Sequence, residues 1–169
     1  MADHHHQDRA PGRVGCAVVT VSDSRTASDD HSGPVIRQIL EEAGHPIRAV
    51  EIVPDERYAI RAVIRQLAAR TDVAAVMVTG GTGIAERDVT IESLAGLWTK
   101  ELPGFGEIFR ALSFEEVGSA SMLSRATAGI VGGVFVALLP GSPKACRLAL
   151  ERLIVPELGH IAGLSGRGA

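Results

Sequence analysis

The stretch from Val73 to Asp88 reads VAAVMVTGGTGIAERD. Its first part, Val73 to Val78, is a continuous apolar run of strand length. Such runs are typical of strands covered on both faces of a sheet. The second part, Thr79 to Asp88, turns abruptly to glycine. Gly80, Gly81 and Gly83 let the backbone turn sharply and present N–H groups with no side chain in the way. A buried strand running directly into such a loop belongs at the carboxyl edge of a parallel sheet, where open α/β sheets take ligands. The loop's donors suit an anion, phosphate first among them. Asp88 places a negative charge beside that anion, which makes sense with a divalent cation between them.

Outward from this stretch, strand and helix patterns alternate. Arg13 to Val21 is mostly apolar and of strand length. Ser22 to Gly33 is polar and reads as a long loop. Pro34 suits the first position of a helix carrying Ile36, Ile39, Leu40 and Ala43, with Gly44 to close it. Ile47 to Val53 is a second strand. Ile60, Val63, Ile64 and Leu67 form the apolar face of the next helix. After the glycine loop, Ile91, Leu94, Ala95 and Trp98 recur at helical spacing behind Thr90 as N-cap. Phe105, Ile108, Phe109 and Leu112 repeat that spacing. Val134 to Leu139 is a further strand, followed by Pro140-Gly141-Ser142-Pro143-Lys144. There Ser142 caps a helix that starts at Pro143, and Pro156 kinks or ends it. The alternation predicts a three-layer α/β/α sandwich with a mostly parallel central sheet.

The composition fits one globular domain. Of 169 residues, 46% are hydrophobic and 22% charged, enough to bury a core. A net charge of −3, no basic run and 4% aromatics argue against nucleic acid as a partner. Cys16 and Cys146 form no C-x-x-C and read as small apolar residues of a reduced, cytoplasmic protein. No apolar run is long enough for a membrane span, and Met1 to His6 reads as having no signal-peptide core. His4, His5 and His6 belong to that polar segment, read as a disordered tail. The expected domain covers residues 13–164, with a short tail at 165–169.

Several polar residues should gather at the carboxyl ends of the strands. Asp55 follows the second strand and reads either as a helix cap or as a site acid; Asp88 carries the same two readings. Paired, they can hold a magnesium ion bridging phosphate oxygens. A phosphate nucleophile is already ionised near neutral pH, so neither acid needs to act as a base. Asp23, Asp29 and Asp30 are loop acids or ligands. Arg125 pairs with a phosphate or with a structural carboxylate. Lys144 sits at a helix start, where a cation opposes the helix dipole unless an anion is near. The loop is neither a Walker loop nor the dinucleotide fingerprint, which argues against a nicotinamide-dependent oxidoreductase.

Taken in order, Ser22-Asp23, Asp30 with Ser32-Gly33, Pro54-Asp55-Glu56, the TGGTGIAERDVT of Thr79 to Thr90, Leu123-Ser124-Arg125 and Pro140 to Lys144 resemble the MoaB/MogA family of molybdenum-cofactor biosynthesis proteins. The resemblance runs from about Arg13 to Gly163. Glu42 to His45, Arg57 to Arg61 and Phe105 to Glu116 place it nearest the MoaB branch. It implies a Mg²⁺- and ATP-dependent adenylyltransferase acting on molybdopterin, or a non-catalytic molybdopterin-binding protein of the same pathway. It implies a cytoplasmic trimer or hexamer that passes its product to a metal-insertion enzyme. The family's functional acids match Asp55 and Asp88, as catalytic and metal-holding residues. Its substrate- and nucleotide-binding positions match Ser22, Asp23, Gly80, Gly81, Thr82, Gly83, Ser124, Arg125, Pro140, Gly141, Ser142 and Pro143. Some MoaB-branch proteins lack the first acid; this chain keeps both. Ile91 stands where the more clearly catalytic branch usually has proline, a change at a helix start that alters capping more than chemistry.

Overall fold

A computed structural model describes residues 12–24 and 28–167. The expected N-terminal tail lies outside them except for Gly12. The chain alternates as expected: β1 (Cys16–Val21), α1 (Ser32–Glu42), β2 (Ile47–Val53), α2 (Arg57–Ala68) and β3 (Ala75–Thr79). After the glycine loop come α3 (Thr90–Ser93), β4 (Lys100–Glu101), α4 (Pro103–Val117) and a 3₁₀ segment (Gly118–Leu123). Then follow β5 (Thr127–Val131), β6 (Val134–Leu139), α5 (Pro143–Ala149), a π-helical turn (Leu150–Ile154) and α6 (Val155–Leu164).

The six strands form one sheet in the order β2-β1-β3-β6-β5-β4. The first four run parallel; β5 runs antiparallel to both its neighbours, β6 and β4. Pleat alternation divides the central strands between two cores. Cys16, Val18, Ala75, Met77, Phe135 and Ala137 face Ile36, Leu40, Phe109, Leu150 and Leu158. Ala17, Val19, Val76, Val78, Val136 and Leu138 face Ile60, Ile64, Leu67 and Leu94. Full burial of one such aliphatic side chain favours folding by about 1.5–3 kcal/mol, which is why β1, β3 and β6 are apolar throughout. β2 is one edge strand and exposes Arg48, Val50 and Glu51; the two charges discourage edge pairing.

Several local readings differ from expectation. α1 starts at Ser32, two residues ahead of Pro34, because the Asp30 carboxylate accepts from Ser32 N and Gly33 N and caps the turn earlier. The helix expected from Ile91 to Trp98 is one turn only; Gly96, at φ 72°, breaks it. Thr90 is inside that turn rather than capping it. Ala126 to Gly133, where no element was expected, is mainly strand β5 and a hairpin through Gly132 and Gly133, at φ 56° and 84°. Pro156 does not end its helix: it sits in the first turn of α6, where its missing N–H costs little after the π turn.

Other local expectations hold. Gly44 (φ 85°) closes α1 with bonds from Gly44 N to Glu41 O and His45 N to Leu40 O, both 2.9 Å, a Schellman motif. Ser142 caps α5 by accepting from Ala145 N, with Pro143 in the first turn. Arg167, within the stretch read as a C-terminal tail, donates to the carbonyls of Arg70, Ala68 and Gly132.

Candidate functional site

β1 lies between β2 and β3, so the chain leaves β1 toward one side and returns on the other. That reversal opens a crevice at the strands' carboxyl ends. A cleft of about 530 Å³ lies there, lined by Ser22, Gly80, Gly81, Thr82, Gly83, Asp88, Ser124, Pro140, Gly141 and Ser142 among others. The strand-end loops anticipated from sequence therefore converge. Gly141 packs on Gly80, since an added Cβ at Gly141 would lie 3.7 Å from the Gly80 Cα. Pro143 stands behind this cleft at the start of α5.

The glycines are needed for room as well as for turning. Gly80 and Gly81 have φ of 104° and 64°. A Cβ on Gly80 would sit 2.4 Å from the Val21 carbonyl oxygen. One on Gly81 would meet Thr90 Oγ1 at 2.2 Å and Asp55 Oδ1 at 2.8 Å, and one on Gly83 would meet Asp88 Oδ2 at 2.7 Å. The two acids thus flank the same loop, one beside Gly81 and one beside Gly83.

Asp55 is not a helix cap. Glu56 precedes α2, and no side-chain cap bond is made there. Asp55 Oδ1 is buried with no hydrogen-bond partner. Burial first, and then the charge of Asp88, pushes its carboxyl above the ordinary 3.8. A buried, unpartnered carboxylate oxygen is costly unless something positive or protic meets it. Asp88 is half-buried and accepts from Ala85 N through Oδ2 at 2.8 Å. Two carboxylates facing across a glycine loop fit a magnesium ion that takes its remaining ligands from water and phosphate. Among the described residues no group of three or more His, Cys, Asp or Glu side chains gathers into an all-protein cage.

Arg125 is committed to the protein. Its Nε donates to Gly83 O at 2.7 Å, one Nη donates to Asp88 O at 2.9 Å, and the guanidinium pairs with Glu92. That bond to Arg125 holds the Glu92 carboxyl below its usual range. Arg125 N also donates to Thr82 O, so this residue braces the loop at three carbonyls. Ser124 Oγ accepts weakly from Ala126 N at 3.4 Å and retains its own proton for a ligand. Lys144 pairs with Glu116 at 3.2 Å, so a structural partner accounts for its place at the helix start. Asp30 is buried, with Thr20 Oγ1 donating to it at 2.6 Å, and serves the protein.

Other supports escaped sequence reading. Ser32 Oγ donates to Gly141 O at 2.8 Å, and Thr79 Oγ1 and Cys146 Sγ both donate to Pro140 O. These bonds hold the Pro140–Ser142 loop from beneath. Their only signal in the sequence was proximity to motifs, since bonds across the fold leave no local pattern.

Fold and site together define an α/β domain with a ligand cleft at the topological switch of its sheet. A family model described as a probable molybdopterin binding domain matches residues 17–160. Molybdenum cofactor biosynthesis protein B of Bacillus subtilis (strain 168) is 50% identical over 162 residues, 95% of each chain. Its counterpart in Escherichia coli (strain K12) is 46% identical over 148 residues, 88% of this chain and 86% of that one. The crystal structure of a molybdenum cofactor biosynthesis protein B superposes with a TM-score of 0.90 at 46% identity, covering 94% of this chain and 99% of that one. The tungsten cofactor synthesizing protein MoaB from Pyrococcus furiosus superposes at 0.78 with 41% identity, covering 95% and 100%. The chain belongs to the MoaB family of molybdenum cofactor biosynthesis proteins.

Proposed function

We propose that this protein adenylylates molybdopterin with ATP and magnesium, releasing pyrophosphate. The observation that carries the reading is the buried, unpartnered Oδ1 of Asp55 beside the glycine loop that Asp88 also flanks. In this reading a terminal phosphate oxygen of molybdopterin attacks the α-phosphorus of ATP. A P–O bond forms, the bond to the β-phosphate oxygen breaks, and pyrophosphate leaves with its electron pair. Magnesium supplies charge neutralisation to the phosphates when bound.

The chain's own residues bind and orient. The backbone N–H groups of Gly81 to Gly83 would face the phosphates, that of Gly80 being bonded to Leu139 O, and Asp55 and Asp88 would hold the metal. Ser124 donates to the pterin's phosphate. Ser22, with the loop from Pro140 to Ser142, walls the cleft, and Pro143 fixes that loop at the helix start. Arg125 keeps the loop carbonyls turned inward, so that the N–H groups remain available. The retention of both acids favours catalysis over a role confined to pterin binding.

The exposed Ile108, Phe114, Val117, Met122 and Leu123 lie on and after α4, beside the cleft wall at Ser124. They supply a surface for the trimer or hexamer that the family resemblance implies. We place the protein in the cytoplasm, handing adenylylated pterin to a metal-insertion enzyme; no helix among the described residues is long and apolar enough to cross a membrane.

The test is pyrophosphate release from purified protein with Mg²⁺, ATP and molybdopterin, beside the double variant D55N/D88N. Pterin-dependent release that the variant loses supports the reading. Pterin binding without release leaves the chain a binding protein of the pathway.

A further inference from the structure

Asp55 and Asp88 belong to loops that follow β2 and β3, and β1 separates those strands. The link comes from Asp23, on the loop after β1. Its Oδ1 accepts from the backbone N–H of Asp55 at 2.8 Å. Its Oδ2 pairs with the guanidinium of Arg87, the residue next to Asp88. Ser22 N donates to Val53 O at 2.9 Å, so the β1–β2 ladder continues up to this point and fixes the base of the strut.

We infer that Asp23 is a positioning residue that sets the separation of the two site acids, through the Asp55 N–H on one side and Arg87 on the other. The inference rests on the metal reading above. Asp23 and Arg87 are both largely exposed, and exposed ion pairs add little to stability. The strut therefore acts on geometry: a carboxylate held to within a fraction of an ångström binds a small, rigidly octahedral ion, and a loose one does not.

The probe is Mn²⁺, titrated into the full-length protein alone and followed by the loss of the free-ion electron paramagnetic resonance signal. D23A should weaken Mn²⁺ binding roughly tenfold or more, as loss of an outer partner of a metal ligand does. Its urea midpoint should stay close to that of the parent. D23N keeps a carbonyl for the Asp55 N–H but loses the charge facing Arg87, and should show a smaller loss. R87Q should weaken Mn²⁺ too, and the D23N/R87Q pair should be less than additive.

Unchanged Mn²⁺ binding in D23A, while D55N/D88N abolishes it, overturns the strut and leaves the metal site standing. Unchanged binding in D55N/D88N sinks the metal site and the strut with it. A raised KM for ATP in D23N and R87Q, with Mn²⁺ affinity intact, would show that these side chains meet the nucleotide instead, and also overturns it. Should D23A not fold, D23N and R87Q carry the same comparison.

Discussion

Thr90 donates its Oγ1 to the carbonyl oxygen of Gly80 at 2.9 Å while its own N–H donates to Gly81 O at 3.1 Å. One fully buried residue at the start of α3 thus turns two successive loop carbonyls inward. With Gly80 N bonded to Leu139 O at 3.1 Å, the N–H groups of Gly81, Thr82 and Gly83 are left for the cleft side. T90V keeps the shape and removes the donor, leaving Gly80 O buried and unmet. It should lose about 1–3 kcal/mol in urea unfolding. T90S, which keeps the hydroxyl, should lose much less. Equal losses in the two variants would assign the effect to packing.

Gly81→Ala tests the loop from the other side. The residue has φ of 64°, and its new methyl would press on Thr90 Oγ1 and Asp55 Oδ1. A positive φ and a clash act together, so a loss of about 2 kcal/mol or more is expected. Pyrophosphate release should fall further than stability explains, because Asp55 must move. G44A is the control: φ is 85° but the space is open, so only the backbone term of about 1 kcal/mol should appear, with turnover intact.

Sequence alone was enough for the central architecture, because apolar strands of the right length leave a strong pattern. Val73 to Val78 and Val134 to Leu139 predicted β3 and β6 within two residues. The β5 hairpin was missed because Ala128 and Gly129 interrupt its strand character; antiparallel pairing to β6 makes the segment a strand. The single-turn α3 was overread because the 3.6-residue period in Ile91 to Trp98 is also met by a turn-rich segment that buries Leu94 and leaves Ala95 exposed. At the site, the residues meeting in the cleft were legible because glycines and acids cluster at strand ends. The supports were not. Glu92 behind Arg125 and Ser32 behind Gly141 depend on contacts 33 and 109 residues apart, and no spacing rule reaches that far.

His45 should confer an acid limit on stability. It is buried, and its Nδ1 accepts from Val14 N at 3.1 Å, tying the end of α1 to the approach to β1. Burial holds its pKa below the ordinary 6.5. The neutral ring is therefore the folded form, and the folded pKa is the depressed one. Stability from this group is present above 6.5 and declines as pH falls through the lower folded value. Urea midpoints measured from pH 7.5 down to about 5 should fall in the parent protein. H45N, with an amide oxygen to accept from Val14, should flatten that slope across the same range. A parallel decline in both proteins would place the acid sensitivity elsewhere.

Asp55 gives the opposite sign and a sharper test. Its carboxyl is raised above 3.8 by burial and then by Asp88. A raised folded pKa means that the proton is held more tightly in the folded state. The stability from that proton is fully present below the unfolded value and is lost as pH rises through the folded one. At neutral pH the ionised Asp55 is accordingly a burden on the fold, kept because the cleft needs its charge. D55N replaces the charge with a neutral amide of the same shape. It should unfold at an equal or higher urea concentration than the parent at pH 7.5, with the gap narrowing as the pH drops toward the Asp55 titration. Pyrophosphate release should vanish in the same variant. A D55N protein clearly less stable than the parent at neutral pH would mean that the carboxylate has a protein partner in solution, and the site would lose its principal support for a metal.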